Sequence, residues 1–276
     1  MQRERESKTR HRWHGTRYAG SSARPLPVSP AVAAGSSLRR LYEDPRTPLS
    51  SGLERAELQG SVLARTASAS GRPLVALDVG CGDGRATVVA MARCKLTAGA
   101  EVSFIGLAWS VAALELARDR GLRVARADLA GAGLPLAGAS VDVVVMSELI
   151  EHLVDTDAAL EEAARVLVPG GTLLLSTPNL AAWYNRVLLA VGVQPLFSEV
   201  SLRGIYGRPG HVVAGHLRIF TRRSLEQLLS ARGFIDIDIT GAPYHDVPRP
   251  LRPVDRAFCR VPGLASILLA TARRPS

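Results

Sequence analysis

Cysteine, lysine and long apolar runs are all scarce in this chain of 276 residues. The three cysteines, Cys81, Cys94 and Cys259, are odd in number and widely spaced, which excludes a disulfide framework and a cysteine-rich zinc site. No apolar run approaches the roughly 18 residues of a transmembrane helix. The first residues carry charge but no apolar stretch, so we expect no secretory signal. Together these absences predict a cytoplasmic protein.

Positive charge is abundant but unevenly distributed. The formal net charge is +9, and more than half of the excess lies in residues 1–25, where Glu4 and Glu6 are the acidic residues. The basic residues of this segment are Arg3, Arg5, Lys8, Arg10, Arg12, Arg17 and Arg24. Charge runs of this kind are usually solvated tails. We therefore do not expect nucleic acid to be the partner.

Composition divides the chain into three parts. Residues 1–35 are rich in Arg, Ser, Pro and Gly and lack apolar periodicity, which predicts a disordered basic tail. Residues 36–70 predict a helical lead-in, and residues 71–276 predict one α/β domain. Residues 178–215 depart from the pattern of that domain, which predicts an irregular insertion.

Strand-like and helical segments alternate from residue 73 onward. The runs "PLVALDV", "VSFIGLA" and "VDVVVMS" are continuously apolar, as expected of strands buried on both faces. Helical patterns such as "GRATVVAMARC" separate them. This alternation predicts right-handed β-α-β units, hence a mostly parallel sheet with helices on both faces.

A glycine-rich loop, "LDVGCGDG", lies where the first predicted strand meets the first helix. Gly80, Gly82 and Gly84 permit a tight turn and let a ligand approach backbone N–H groups at a helix N-terminus. The spacing G-x-G-x-G is one residue shorter than the dinucleotide fingerprint. Cys81, between the first two glycines, is expected to contribute its backbone and not a reactive sulfur.

The loop resembles motif I of class I S-adenosylmethionine-dependent methyltransferases, and later segments follow in the order of that family. "ARVLVPGGTLLLSTPN" resembles the fifth strand of the family, and "GHLRIFTRRSLEQLLSARGF" resembles the helix after the acceptor loop. The resemblance implies a Rossmann-like seven-stranded sheet whose last strand is antiparallel. It also implies contacts with S-adenosylmethionine from Asp78, Gly80, Cys81, Gly82, Gly84, Trp109, Asp128, Leu129 and Ser147.

One position departs from the family. The second strand usually ends in an acid that holds both ribose hydroxyls, whereas this chain has Ala108 there, followed by Trp109. Loss of that contact should cost about 1.5–3 kcal/mol of binding. Trp109 either offsets part of this cost by packing on the adenine or is a core aromatic.

The stretch "SELIEHL" concentrates three titratable groups. If it is helical, Glu148, Glu151 and His152 share one face, where they form a metal site, a proton-transfer site or a solvated surface. The run resembles that of two groups in the family, the quinone-biosynthesis O-methyltransferases and the small-RNA 3′-terminal 2′-O-methyltransferases. In the latter it binds a divalent cation together with a histidine in a downstream H-x-x-x-aromatic-Thr segment. "HLRIFT" supplies His216. The resemblance implies a site of Glu148, Glu151, His152 and His216 that suits Mn²⁺, Fe²⁺, Co²⁺ or Zn²⁺ better than Mg²⁺.

Two alternatives to a metal stay open. In a metal-free site, His152 or His216 is the general base beside Glu148, since histidine titrates near neutral pH. In the other, the cluster is structural. The main functional hypothesis is methylation of a hydroxyl on a small or lipid-linked acceptor, because the insertion that should cover the acceptor is apolar and could contact a membrane surface. RNA 2′-O-methylation and a catalytically silent binding protein are the alternatives.

Overall fold

The computed structural model describes residues 52–99, 102–128, 133–210 and 213–276. The predicted tail, the first part of the predicted helical lead-in and Leu129 lie outside the described residues.

One sheet of seven strands organises the described chain. The strands are β1 (Leu74–Val79), β2 (Val102–Ala108), β3 (Arg123–Arg126), β4 (Val141–Ser147), β5 (Leu167–Pro178), β6 (Ile235–Ala242) and β7 (Ile267–Arg273). Their order across the sheet is β3-β2-β1-β4-β5-β7-β6. Strand β7 runs antiparallel to both of its neighbours, and the other pairings are parallel. The predicted Rossmann-like sheet with an antiparallel last strand is confirmed.

Helices cover both faces of the sheet. They are α1 (Leu53–Ser70), α2 (Arg85–Ala98), α3 (Val111–Asp119), α4 (Thr156–Val166), α5 (Trp183–Ala190), α6 (Arg222–Ala231) and α7 (Arg252–Phe258). Alternate residues of β5 pack on opposite sides, with Leu174 beside α1 and α2 and Leu173 and Leu175 beside α4 and α6. Two-sided burial explains why the central strands are continuously apolar. None of these described helices combines the length and apolarity that crossing a bilayer requires.

Helix α1 is an integral part of this core. Leu63, Ala64 and Ala67 on one of its faces are buried against α2 and the sheet. The two helices cross closely at Gly60, where a Cβ would lie 2.5 Å from the carbonyl oxygen of Ala90. Glycine is unfavourable inside a helix, so its presence here reflects the close backbone approach.

The segment 178–215 is less irregular than the sequence suggests. Helix α5 lies inside it. Later in the chain, a short 3₁₀ turn at Arg249–Leu251 and helix α7 precede the last strand. The prediction of an irregular segment was wrong at α5. Only Asn185 of α5 is buried, so this helix lacks the buried apolar face of a core helix.

We expect Gly60→Ala to destabilise the protein. Replacing an exposed helical glycine by alanine usually stabilises by about 0.5–1 kcal/mol. Here the new methyl group would meet the backbone of Ala90 and the side chain of Arg93, and overpacking of this kind costs about 1–3 kcal/mol. The free energy of unfolding in urea measures the difference.

The matched control is Ser68→Ala, at an exposed position of the same helix. This substitution should be neutral or slightly stabilising. Equal stabilisation by both substitutions would show that α1 does not make the close crossing.

Candidate active site

The carboxyl ends of β1, β4 and β5 meet at one edge of the sheet, and the candidate residues follow these ends. Parallel pairing aligns Asp78 of β1 with Val145 of β4, and Ser147 of β4 with Ser176 of β5. In open α/β sheets, ligands bind outside this edge. The topology thus brings the glycine loop and the "SELIEHL" segment together, although about 65 residues separate them in the chain.

The glycine loop is a tight turn with one open position. The N–H groups of Gly80 and Cys81 both donate to the carbonyl of Leu107, at 2.8 and 3.0 Å. A Cβ on Gly84 would lie 2.4 Å from Leu122 Cδ1, whereas one on Gly82 would meet no atom within 4 Å. Both glycines have positive φ. Gly84 is therefore required for packing, and the space beside Gly82 is where a ligand can approach the loop.

Asp78 lies beneath the loop and holds it to α2. Its buried carboxylate accepts a hydrogen bond from the Thr87 hydroxyl. Burial raises the pKa of Asp78 to about 6, and the bond from Thr87 opposes this rise. Asp78 lines a small pocket with Gln59 and Ser147. Burial also raises the pKa of the Cys81 thiol, which keeps this sulfur protonated at neutral pH.

The other predicted cofactor residues lie at the ends of β2 and β3. Ala108 faces the glycine loop and packs with Cys81 and Leu114. The guanidinium of Arg126 lies 4.2 Å from the centre of the Trp109 ring, so one face of the indole is already covered. Asp128 follows β3.

Helix α1 supplies two polar side chains that sequence reasoning missed. Arg55 is buried and lies 3.5 Å from the Glu148 carboxylate. The buried Gln59 amide donates to Ser147 Oγ at 2.7 Å. The two residues are four apart and so share a helix face. The spacing of these two polar residues in the predicted helical lead-in is the sequence feature that could have identified them.

The "SELIEHL" segment does not form the α-helix that would place Glu148, Glu151 and His152 on one face. Glu148 has a φ of +49°, and only Ile150–His152 form a 3₁₀ turn. Short connections at strand ends often have such irregular backbone, which periodicity does not report. The left-handed backbone at Glu148 breaks any helical continuity with the turn that carries Glu151 and His152.

Glu151, His152 and His216 converge. One potential ligand atom from each lies within 4.8 Å of the others, and the two imidazole rings have centroids 4.7 Å apart. Glu148 is not a member of this group and instead contacts Arg55. Three of the four predicted metal ligands therefore meet.

Backbone carbonyls set the orientation of both rings. His152 Nδ1 lies 3.1 Å from the carbonyl of Gly215, and His216 Nδ1 lies 3.0 Å from that of Phe197. A carbonyl only accepts, so Nδ1 is the protonated nitrogen in each ring. Nε2 is then the unprotonated nitrogen in each ring, and His152 Nε2 lies 3.9 Å from Glu151 Oε1.

The cluster is buried and electrostatically perturbed. Burial, and after it the nearby His216, lower the pKa of His152 to about 3. Burial also lowers the pKa of His216. The fully buried Glu151 has its pKa raised well above the ordinary value by burial and by the charge of Glu148. All three shifts favour uncharged groups in the ligand-free protein.

Several buried polar atoms at this edge have no hydrogen-bond partner within the described structure. They are Glu148 Oε1, Glu151 Oε1 and Ser176 Oγ. The second oxygen of Glu151 accepts from the Thr177 hydroxyl at 2.9 Å. An unsatisfied buried acceptor costs about 1–3 kcal/mol, so a concentration of them marks a place where a ligand supplies the missing partners.

The chain belongs to the S-adenosylmethionine-dependent methyltransferases. Residues 53–238 match a family described as a methyltransferase domain, which covers more than half of the chain. This match extends across the glycine loop, the converging cluster and most of the sheet.

Two relatives and one solved structure are similar to this chain. A ubiquinone biosynthesis O-methyltransferase of Chelativorans sp. (strain BNC1) is 30% identical over 61% of this chain and 62% of its own length. A trans-aconitate 2-methyltransferase of Methylobacterium radiotolerans is 33% identical over 58% of this chain and 59% of its own. The chain thus spans less than two thirds of either relative. An S-adenosylmethionine-dependent methyltransferase from Thermotoga maritima has a TM-score of 0.51 and 17% identity, covering 87% of this chain and 99% of that one, which shows the fold alone.

We expect the stability of the metal-free protein to fall on acidification because of His152. Its pKa is about 3 in the folded protein against an ordinary 6.5. Between these values the unfolded chain binds a proton that the folded chain excludes, so stability decreases as the pH decreases. Each pH unit below 6.5 costs up to about 1.4 kcal/mol. His152→Gln should remove roughly 2 kcal/mol of the loss between pH 7 and pH 5, measured by urea unfolding.

The control is His245→Gln, which changes a partly exposed imidazole outside the cluster. It should keep the wild-type pH profile. Parallel profiles for wild type and His152→Gln would contradict a buried, uncharged imidazole. Asp78 and Glu151, whose raised pKa values give the opposite slope, are present in every protein compared.

Proposed function

We propose that this enzyme methylates a hydroxyl oxygen on a small or lipid-linked acceptor, and that Glu151, His152 and His216 hold a divalent cation that assists the transfer. The observation that carries the proposal is the convergence of these three donors within 4.8 Å beside the glycine loop. The name of the first relative specifies O-methylation, which supports oxygen as the acceptor atom.

The donor set fits a transition metal. Each imidazole donates its Nδ1–H to a carbonyl and keeps an Nε2 lone pair, as metal-binding histidines usually do. Glu151 Oε1 is buried without a partner inside the described structure. Two imidazole nitrogens and one carboxylate oxygen suit Zn²⁺, Fe²⁺, Mn²⁺ or Co²⁺. A cation held there would act as a Lewis acid.

A metal-free general base is less well supported. Efficient proton transfer requires a pKa near the working pH. Burial lowers the pKa of His152 to about 3 and also lowers that of His216, which makes both imidazoles weak bases at neutral pH.

The glycine loop and α1 are proposed to hold the methyl donor. When bound, S-adenosylmethionine supplies an electrophilic methyl group. The open space at Gly82 admits it to the loop, and Gln59 of α1 lines a small pocket with Asp78 and Ser147 beside the loop. A pocket of this kind accelerates the reaction mainly by orienting the two reactants.

The acceptor side is aromatic and apolar. The ring centroid of Phe197 lies 5.7 Å from the ring centroid of His216 and 5.0 Å from that of Tyr244. Nearby on α5, Val187 and Leu189 are more than half exposed. Apolar walls beside a small set of polar groups are typical of small-molecule sites, and the exposed side chains suit a lipid-linked acceptor. A cytoplasmic location stays a prediction.

RNA methylation is the weaker of the enzyme readings. It was motivated by a four-ligand metal site and by the basic tail. Glu148 contacts Arg55 and is not among the converging donors. We therefore favour the small or lipid-linked acceptor.

We expect chelation to abolish methyl transfer and one of Mn²⁺, Zn²⁺, Fe²⁺ or Co²⁺ to restore it. Glu151→Gln, His152→Gln and His216→Gln should each lower kcat by about 100-fold or more, because a Lewis acid contributes several kcal/mol to such a reaction. Transfer of labelled methyl from S-adenosylmethionine to a panel of phenols, quinols and oligoribonucleotides measures the effect and separates the acceptor classes.

Glu226→Gln is the matched control, since this carboxylate is half-exposed on α6. It should retain activity, and all four variants should bind S-adenosylhomocysteine as the wild type does. Full turnover by enzyme shown to be free of metal would refute the cation.

We expect Ala108→Asp to tighten S-adenosylhomocysteine binding by about tenfold. A carboxylate at the loop-facing end of β2 would regain bonds to two hydroxyls, worth about 1.5–3 kcal/mol before the cost of its burial. Calorimetric titration measures the change, with Ala108→Asn as the neutral control of similar size. Equal, weak affinities for all three proteins would favour the catalytically silent alternative.

A further inference from the structure

Glu199, in the insertion between β5 and α6, has every oxygen lone pair engaged. Its carboxylate is 1% exposed. Oε1 accepts from the N–H of Ala214 at 2.6 Å and from the Arg208 guanidinium at 3.1 Å. Oε2 accepts from the N–H groups of Gly215 and His216 at 2.8 and 3.0 Å. None of these bonds involves an imidazole ring.

Three consecutive backbone N–H groups therefore point at one carboxylate. Such concave arrangements of N–H groups are anion-binding sites. Gly215, in the middle, has a φ of +86°, a conformation that side chains disfavour. The segment 214–216 thus needs an anion to hold its shape, and Glu199 supplies it from within the chain.

The shape of this segment decides how both histidines lie. Within this segment, the carbonyl of Gly215 accepts the Nδ1–H of His152. The last residue of the segment is His216 itself. The Nδ1–H of His216 is bound by the carbonyl of Phe197, two residues before Glu199. One short stretch of the insertion consequently orients both rings, through its backbone and through the Glu199 side chain.

We propose that Glu199 is a positioning residue that holds His152 and His216 in their Nδ1–H tautomers with Nε2 directed into the cluster. The inference rests on the proposed function only for its consequence, which is tighter cation binding and faster turnover. The negative charge is essential, because the amide of a glutamine would place N–H donors opposite backbone N–H donors. Loss of such outer contacts typically lowers metal affinity by about 10–100-fold.

The test compares histidine ¹⁵N spectra of cation-free wild type and Glu199→Gln. Long-range ¹H–¹⁵N correlations report which ring nitrogen carries the proton, and the His152→Gln and His216→Gln variants assign the signals. Wild type should show both rings as Nδ1–H tautomers. In Glu199→Gln these two signals should shift towards tautomer averaging, Zn²⁺ affinity should fall about 10–100-fold, and kcat should fall while the KM for S-adenosylmethionine is unchanged.

Glu226→Gln on α6 is the matched surface control and should behave as wild type. Glu199→Asp keeps the charge but is one methylene shorter, so it should give intermediate tautomer shifts. If Glu199→Gln fails to bind S-adenosylhomocysteine and is judged unfolded, Glu199→Asp decides the matter.

Wild-type tautomers and wild-type Zn²⁺ affinity in the folded variant would overturn the proposal and leave Glu199 as a loop anchor alone. If wild type itself binds no Zn²⁺, the proposed cation site fails. The tautomer comparison then decides the role of Glu199 by itself, since it needs neither metal nor acceptor.

Discussion

Strand β4 lies between β1 and β5, and its parallel hydrogen bonds to both strands align the carboxyl ends of all three. The glycine loop leaves β1, the Glu148–His152 segment leaves β4, and Thr177, next to the last residue of β5, lies beside them. Parallel pairing requires a long crossover between successive strands, so residues far apart in the chain meet only because these strands share an edge. The antiparallel β7 follows on the other side of β5 and buries that strand as well.

This edge of the sheet carries several contributions that are unfavourable to folding. A carboxyl group with no exposed surface, two uncharged imidazoles and buried oxygens without partners all lie within one small volume. Each unsatisfied atom costs about 1–3 kcal/mol. The apolar core on both faces of the sheet offsets these costs, since one fully buried leucine stabilises by about 1.5–3 kcal/mol. The left-handed backbone at Glu148 is tolerated because the surrounding sheet holds the chain on both sides of it in place.

The extent of successful sequence prediction follows the range of the interactions involved. Strands β2 and β4 were expected as "VSFIGLA" and "VDVVVMS", and the structure has them at those residues, because burial on both faces produces a continuous apolar run. The glycine loop was equally visible, since positive φ demands glycine. The left-handed backbone of Glu148 gave no signal, and the helical argument built on that stretch failed with it. Arg55 and Glu199 act through contacts across 93 and 17 residues of chain, and neither has a local pattern that reports its partner.

The close crossing at Gly60 connects the start of the described chain to the site. Helix α1 carries Arg55 and Gln59, which contact Glu148 and Ser147, yet most of its hold on the domain comes from its seam with α2. A helix held mainly along one seam opens locally more readily than a central strand. An α1 that is docked for only a fraction of the time weakens apparent ligand affinity by that same fraction. Residues in the contact between α1 and α2 therefore set the docking equilibrium of α1. Through that equilibrium they change the apparent ligand affinity without contacting the ligand.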